Sequence, residues 1–447
     1  MKTFRMGGVH PADKKISQNA QIEKLPIPKT VYISMIQHLG APAAPCVAVG
    51  DKVKVGQLIG TPTGFVSAPI HSSVSGTVKA IEMINDLSGR QVNTVVIDTE
   101  GDEWMEGIDR SETIEREIKL DAKQIVERVK ECGVVGLGGA TFPTSVKLSP
   151  PPTAKPTCVI INAAECEPYL TSDYRVMMEM PEQVIIGGTI LMKALGVNKC
   201  YIGVEENKPK AIAKLKEFCG KYSGVEVVTL KKKYPQGGEK QLIDAVIGKR
   251  VPSMGLPVDT GAVVQNVGTA FAVYEAVQKN KPLFEGVMTV TGDCSNQQRN
   301  FVHRVGTPLS FIMEFCGGVP AQAAKIISGG PMMGKAIVNI DAPTLKGTSS
   351  ILYLTEAQTK RKEESNCIRC GKCADACPMG LEPYLLNKLG RASMMDELEA
   401  HYVYDCIECG CCSFTCPAYI PLLDTIRQSK AAVMKIMKSR TAPAPAK

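Results

Sequence analysis

Eight of the seventeen cysteines in this chain fall into two copies of one pattern: Cys367, Cys370, Cys373 and Cys377, then Cys406, Cys409, Cys412 and Cys416. Each run reads C-x2-C-x2-C-x3-C-P, closing on Pro378 and Pro417. Three cysteines at steps of three wrap a loop around one face of a four-iron–four-sulfur cube, each thiolate taking one iron. Zinc is the other metal such thiols hold. Its sites usually draw on two separated C-x2-C pairs, whereas four cysteines in eleven residues followed by proline is a cluster spacing. The expected chemistry is one-electron transfer through two [4Fe–4S] clusters.

The fourth cysteine of a run cannot reach the same cube without strain, and in two-cluster ferredoxins it ligates the other cluster. The expected sets are therefore Cys367, Cys370, Cys373 and Cys416 for one cluster, and Cys406, Cys409, Cys412 and Cys377 for the second. Cys411 breaks no ligand spacing and reads as a bystander. Cys46, Cys132, Cys158, Cys200, Cys219, Cys294 and Cys316 read as small buried hydrophobes.

A glycine-rich loop, residues 133–148 (GVVGLGGATFPTSVKL), follows a helical pattern. Alone it fits either a tight turn packing a helix on a sheet or a backbone that approaches a phosphate or flavin, with Lys147 supplying charge. It is not the G-x-G-x-x-G dinucleotide fingerprint. Three more segments bear on the choice: 162–169 (NAAECEPY), 234–242 (YPQGGEKQL) and 264–269 (VQNVGT). With the loop, these resemble the flavin- and NADH-binding subunit of respiratory complex I in order and in residues. The resemblance implies a non-covalent FMN against Gly138, Gly139, Lys147, Asn162, Gly237, Gly238, Asn266 and Thr269. It places Glu167 and Glu239, the candidate catalytic pair, on the nicotinamide side of NAD(H), with Phe142 available to stack on a base. Two positions depart from the pattern: Ala164 stands where complex I has an aspartate, and Gln265 replaces an asparagine. Lys231, Lys232 and Lys233 precede the pocket segment and read as a solvated charge run, not a 2′-phosphate site.

The elements that must carry these residues can be read from periodicity. Residues 47–59 and 68–81 alternate apolar and polar positions between glycines and prolines, as in the barrel-sandwich fold of biotinyl and lipoyl carriers. No lysine lies between Lys54 and Lys79, so a carrier role is set aside for a scaffold. Residues 112–132 have helical spacing. Short apolar strands at 158–162 and 200–204 alternate with helices at 181–195 and 209–218, which argues for a Rossmann-like parallel sheet. A hairpin at 286–291 and 301–305, a helix at 309–315 and a strand at 324–328 suit a β-grasp (SLBB-type) domain. Residues 381–398, between the cysteine runs, read as a long and mostly helical stretch, which suits an α-helical two-cluster ferredoxin domain.

At 447 residues, 44% hydrophobic and 22% charged, the chain has room for several ordinary globular domains. No stretch reaches the roughly 18 apolar residues of a membrane helix, and no apolar signal core follows Met1. Free thiols fit a reducing compartment. The net charge of +7 is mild once two clusters remove about four charges, so nucleic acid is not indicated, while an acidic redox partner is compatible.

Over nearly its whole length the chain is similar to the RnfC/RsxC family of the Rnf ion-translocating electron-transport complexes. The opening Gly7-Gly-Val-His-Pro, the sandwich half 68–81, the flavin segments, Gly329-Gly-Pro-Met-Met-Gly334 and both cysteine runs carry that likeness. It implies a multidomain α/β chain with a barrel-sandwich-like domain at 1–110, an FMN/NADH domain at 111–280, a β-grasp domain at 281–350, a two-cluster ferredoxin domain at 351–428 and a tail at 429–447. It implies ferredoxin:NAD+ oxidoreductase chemistry, with other membrane and ferredoxin-like Rnf subunits as partners, ferredoxin as an indirect electron donor, and a peripheral place on the cytoplasmic face of the membrane. Two alternatives stay open: a cobalamin reductase, whose relatives open directly on their glycine-rich loop, and a passive relay without nucleotide chemistry. A basic amphipathic stretch at 422–438 fits either a membrane surface or packing on the cluster domain.

Overall fold

The computed structural model describes residues 1–441. Its centre is a sheet of four parallel strands in the order Val225–Leu230, Cys200–Glu205, Cys158–Ala163 and Ala262–Asn266. Val159, Ile160 and Ile161 are fully buried, as a continuous apolar run must be when helices cover both faces. Helix Pro181–Leu195 has the expected bounds: Pro181 occupies the first turn, and Gly196 ends it at φ +64°. Helix Pro209–Cys219 follows the same logic at its start.

The helix expected over 112–132 is shorter, Ala122–Glu131, and begins at an Asp121–Gln124 capping box. The residues before it run outside any helix because a neighbouring helix occupies their backbone. The Tyr274 hydroxyl accepts from Glu115 N, and Gln278 Nε2 donates to the carbonyls of Glu115 and Glu117.

Two small sheets form the sandwich. One holds Thr30–Ser34, Gln91–Thr99, Gly76–Asn85 and Lys52–Val53; the other holds Ala44–Pro45, Leu58–Thr61 and Ile70–His71. Val31, Ile33, Ile59, Ile70, Val95 and Ile97 fill the space between them. The β-grasp unit contains the hairpin Glu285–Thr291 with Arg299–Arg304, the crossing helix Leu309–Phe315, and strands Ala323–Ser328 and Ser350–Thr355. Residues near the N-terminus leave the sandwich. Lys2 bridges to Leu230 and Val9 to Tyr234 beside the parallel sheet, while Ile22–Lys24 forms an edge strand of the β-grasp sheet.

In the cysteine-bearing domain the mostly helical stretch expected at 381–398 is built of two helices, Pro383–Arg391 and Met395–Ala400. The break falls at Ser393, whose φ of +55° no continuous helix accommodates. The last helix, Leu422–Thr441, crosses the expected boundary at 428/429. It buries Leu422, Ile426 and Val433 against Leu386, Leu389 and Leu398, and Arg440 pairs with Glu399 at 2.7 Å. The amphipathic stretch is therefore a packed helix of this domain. Apart from Thr441, the Pro/Ala tail lies outside the described residues. Among the described residues no helix is long and apolar enough to cross a membrane.

Candidate functional site

Asn162, next to last in strand Cys158–Ala163, and Asn266, last in the adjacent parallel strand Ala262–Asn266, are paired in register. The carboxyl ends of strands in such sheets are where ligands bind. Both amides are held. Asn162 Nδ2 donates to Gly237 O at 2.8 Å; Asn266 Nδ2 donates to Asp173 Oδ2 at 2.7 Å, and its Oδ1 accepts from Gly268 N at 2.7 Å. The glycine-rich loop lies over them, tethered where Leu137 N donates to the buried Thr269 hydroxyl at 2.9 Å. Phe142 O accepts from Gly136 N at 2.9 Å and closes the loop. Lys147 Nζ reaches Glu239 Oε1 at 2.7 Å and Val264 O at 3.0 Å.

A phosphorylated, amide-reading ligand fits these residues. At Gly138 an added Cβ would come within 2.5 Å of Asn266 Nδ2, so the backbone lies directly on that amide; at Gly139 it would meet nothing within 4 Å, leaving space in front of the loop. At Gly237 it would approach Cys166 Sγ, Asn162 Oδ1 and Ala164 Cβ at 3.3–3.6 Å. Gly238 caps helix Glu239–Ile247, whose N-terminus has no side-chain cap. Gln265 Nε2 and Thr144 Oγ1 are buried without a protein partner. Such orphans call for a ligand or water.

Glu167 and Glu239, grouped in sequence, stand in different settings. Glu239 is ion-paired with Lys147 and its side chain remains 39% exposed. Glu167 accepts from Met332 N at 3.0 Å and Met333 N at 2.9 Å, fastening the flavin segments to the 329–334 turn of the β-grasp unit. A Cβ at Gly330 would lie 2.2 Å from its Oε2, so that turn requires glycine. Burial pushes the Glu167 carboxyl up to about 7. Lys232 pairs with Asp13, and Lys233 stacks over Phe4, so the lysine run is partly engaged.

The second cysteine set lines one small cavity. Cys406, Cys409, Cys412 and Cys377 line it together, among Ile407, Leu386 and Ile426. Of these four thiols three come from one run and one from the other; Cys411, read as a bystander, is fully buried and lines the same cavity. Among the described residues no group of three or more histidine, cysteine or acidic side chains is arranged to hold a single metal ion. Burial raises the free thiols of Cys406, to about 11, and Cys412, to about 12, whereas a hydrogen bond from the Cys411 thiol lowers that of Cys409. In the first set, Cys367 and Cys370 are exposed, and Cys373 lies close enough to Cys416 to feel its charge.

Sequence reasoning missed the groups that join the two sites. The Tyr234 hydroxyl donates to Cys409 O at 2.9 Å, while its backbone exchanges two hydrogen bonds with Val9. Gly8 N donates to Ala376 O at 2.9 Å, and Gly7 at φ +59° presses on the Cys377 carbonyl, where a Cβ would come within 2.4 Å. Cys166 accepts from Gly237 N at 3.3 Å and packs with Tyr234, Cys409 and Cys411. Tyr234 and Cys166 lie inside the flavin segments. Their joining role is invisible in sequence because the partners come from the other domain.

Comparison with known families matches four regions: the RnfC barrel sandwich hybrid domain at 2–102, the Nuo51 FMN-binding domain at 129–275, the SLBB domain at 287–336 and the 4Fe-4S dicluster domain at 359–432. The chain is 48% identical, over 90% of its length and 87% of the relative's, to the C subunit of a proton-translocating ferredoxin:NAD(+) oxidoreductase complex of Clostridium ljungdahlii. It is 45% identical, over 97% of each, to the C subunit of the Na(+)-translocating complex of Acetobacterium woodii. An NAD+-reducing [NiFe]-hydrogenase crystal structure overlaps at a TM-score of 0.49 and 18% identity, over 73% of this chain and 64% of that one, a likeness too loose to argue from.

Proposed function

This chain belongs to the RnfC family, the C subunits of ion-translocating ferredoxin:NAD(+) oxidoreductase (Rnf) complexes, and from that membership we propose that it is where NAD(H) exchanges electrons with the complex. The observation that carries the reading is the junction of two sites. Asn162, Gly237 and the loop at Gly138 and Gly139 form one; Cys377, Cys406, Cys409 and Cys412 form the other; Tyr234 is bonded to a cysteine of the second from the edge of the first.

FMN would supply the exchange between a two-electron hydride and single electrons that neither nicotinamide nor an iron–sulfur cube performs alone. The protein's own work is positional. Asn162, Asn266, Thr269, Gly237 and Gly238 hold the ring and its chain, and Lys147, steered by Glu239, offers positive charge. Phe142 and Glu239 stand toward the nucleotide. Glu167, with both oxygens on backbone amides, ties the β-grasp turn to the flavin segments. The eight thiols in two crossed sets hold the clusters, with the pair Cys367 and Cys370 nearest to solvent. Ferredoxin feeds electrons indirectly through other subunits, and the chain sits on the cytoplasmic face of a membrane complex. The complexes to which the two relatives belong are named for different ions, H+ and Na+.

Flavin extraction tests the reading. A chain reconstituted with FMN, iron and sulfide should release close to one flavin on acid precipitation; a chain that yields none is a relay only. Turnover with cob(II)alamin but not NADH would favour the reductase alternative, against which the N-terminal sandwich already speaks.

A further inference from the structure

Asp173, in the first turn of helix Ser172–Glu179, has no part in the chemistry above, yet it touches the centre of the flavin site. Its Oδ2 accepts from Asn266 Nδ2 at 2.7 Å, while Asn266 Oδ1 is occupied by Gly268 N and Gly138 covers the same amide. The Asn266 side chain thus has one orientation, and Asp173 is one of the two groups that fix it.

Beneath Asp173 lies an unequal set of buried charges. Glu165 Oε1 accepts from Asp173 N at 2.8 Å, and its Oε2 stands 3.8 Å from Lys15 Nζ. Lys15 Nζ also donates to the carbonyls of Glu165, Glu167 and Leu170. Lys208 Nζ donates to Ala164 O at 2.7 Å and lies 3.5 Å from Glu205 Oε2. Four carboxyls, Glu165, Glu205, Asp173 and, on the far side of Lys15, Glu167, therefore share two lysines. An uncompensated charge is costly in such surroundings, and a proton removes it. Glu165 and Glu205 each face a lysine; the partner of Asp173 is a neutral amide. Burial and the neighbouring Glu165 push the Asp173 carboxyl up to about 7. On its other side Asp173 lines a cavity with Glu275, Glu285 and Lys346. There Lys281 pairs with both glutamates, Arg304 pairs with Glu285, and Lys346 Nζ bonds the carbonyls of Pro69 and Gly133.

We propose that Asp173 is a positioning residue of the flavin site: by gaining or losing a proton it sets the charge behind Asn266, and with it the reduction potential of a flavin bound there. The proposal rests on the FMN reading given above. An ionised Asp173 opposes added electron density in the pocket; a protonated one does not. Wild-type flavin should therefore be harder to reduce above the carboxyl's titration than below it.

The test compares the full-length, reconstituted wild-type chain with Asp173→Asn, which has nearly the same shape and no charge. The bound-flavin midpoint potential is measured at about pH 8.5 and about pH 5.5, on either side of the titration. The expected result is a positive shift in D173N at the higher pH that vanishes at the lower. Coincident midpoints at both pH values overturn the proposal. If D173N releases its flavin, redox-difference infrared spectra of the wild-type chain decide instead. A protonated-carboxyl band that grows on flavin reduction at the higher pH in the wild-type and Glu167→Gln chains alike, and is missing from apo protein, upholds the proposal; its absence from either overturns it. A wild-type chain that binds no FMN at all sinks the site reading and this inference together, an outcome separate from flavin that binds with an unshifted potential.

Discussion

The two glycines at the tip of the flavin loop give opposite forecasts from neighbouring positions. In Gly138→Ala the new methyl would lie 2.5 Å from Asn266 Nδ2 and 2.8 Å from its Cγ, so the Asn266 side chain must move. Moving it breaks the bond to Asp173 and uncaps Gly268 N at the start of helix Val267–Lys279. A helix cap contributes about 1 kcal/mol and a hydrogen bond to a charged group about 1.5–3 kcal/mol, so G138A should destabilise the flavin-free chain by roughly 2–4 kcal/mol. In Gly139→Ala the methyl meets no protein atom within 4 Å. Its flavin-free stability should stay within about 0.5 kcal/mol of wild type. The same methyl projects into the space a ligand needs, so FMN affinity should drop by about tenfold or more, equivalent to at least about 1.4 kcal/mol. Thermal unfolding of the apo chain and FMN titration by fluorescence quenching separate the two effects. The reasoning fails if G139A destabilises the apo chain as much as G138A does, or if it binds FMN with unchanged affinity.

Three further outcomes follow from the same contacts. Cys370→Ala should halve iron and sulfide, from about eight of each to about four, and leave flavin content intact; Cys377→Ala should give the electron-resonance spectrum of Cys406→Ala and not that of C370A, because residues 377 and 406 line one cavity. The Glu167 carboxyl sits near 7, above its ordinary value of 4.5, so the stability it contributes is complete below about pH 4.5 and is lost as pH rises through about 7; in Glu167→Gln, unfolding followed from pH 5 to about pH 8 should lack that decline, and an unchanged pH slope would contradict the burial argument. Truncation after residue 427 removes Val433 and the Arg440–Glu399 pair, so the cluster domain should unfold at lower temperature and lose iron, whether or not membranes are present.

How much of this could be read from sequence varied with the range of the interaction. Helices Pro181–Leu195 and Leu309–Phe315 were legible because prolines and glycines mark their ends locally. Strand Gln91–Thr99 went unread although it is the longest partner of Gly76–Asn85, since its pairing is set by the sandwich core. The overlong helix at 112–132 failed because helical spacing could not foresee that Tyr274 and Gln278 would take the backbone groups of residues 115–117. The turn between the two helices of 381–398 is made by Ser393 at φ +55°, with Gly390 three residues before it in the last turn of the first helix. At the site, the cysteine runs declare their chemistry by spacing alone, and Asn162 and Asn266 came from resemblance to a flavin family. Asp173, Lys15, Cys166 and Tyr234 did not. Lys15 meets Glu165 across 150 residues and Tyr234 meets Cys409 across 175, distances at which no local pattern carries information.

One measurement bears on the central claim most directly. The full chain, loaded anaerobically with iron, sulfide and FMN, is mixed with NADH while its visible spectrum is followed. If one continuous path joins a nucleotide pocket at Asn162 and Asn266 to the thiols of Cys377, Cys406, Cys409 and Cys412, flavin and cluster absorbance should both bleach. A spectrum that NADH leaves untouched, but that a chemical reductant bleaches, would mean that the pocket does not take electrons from the nucleotide.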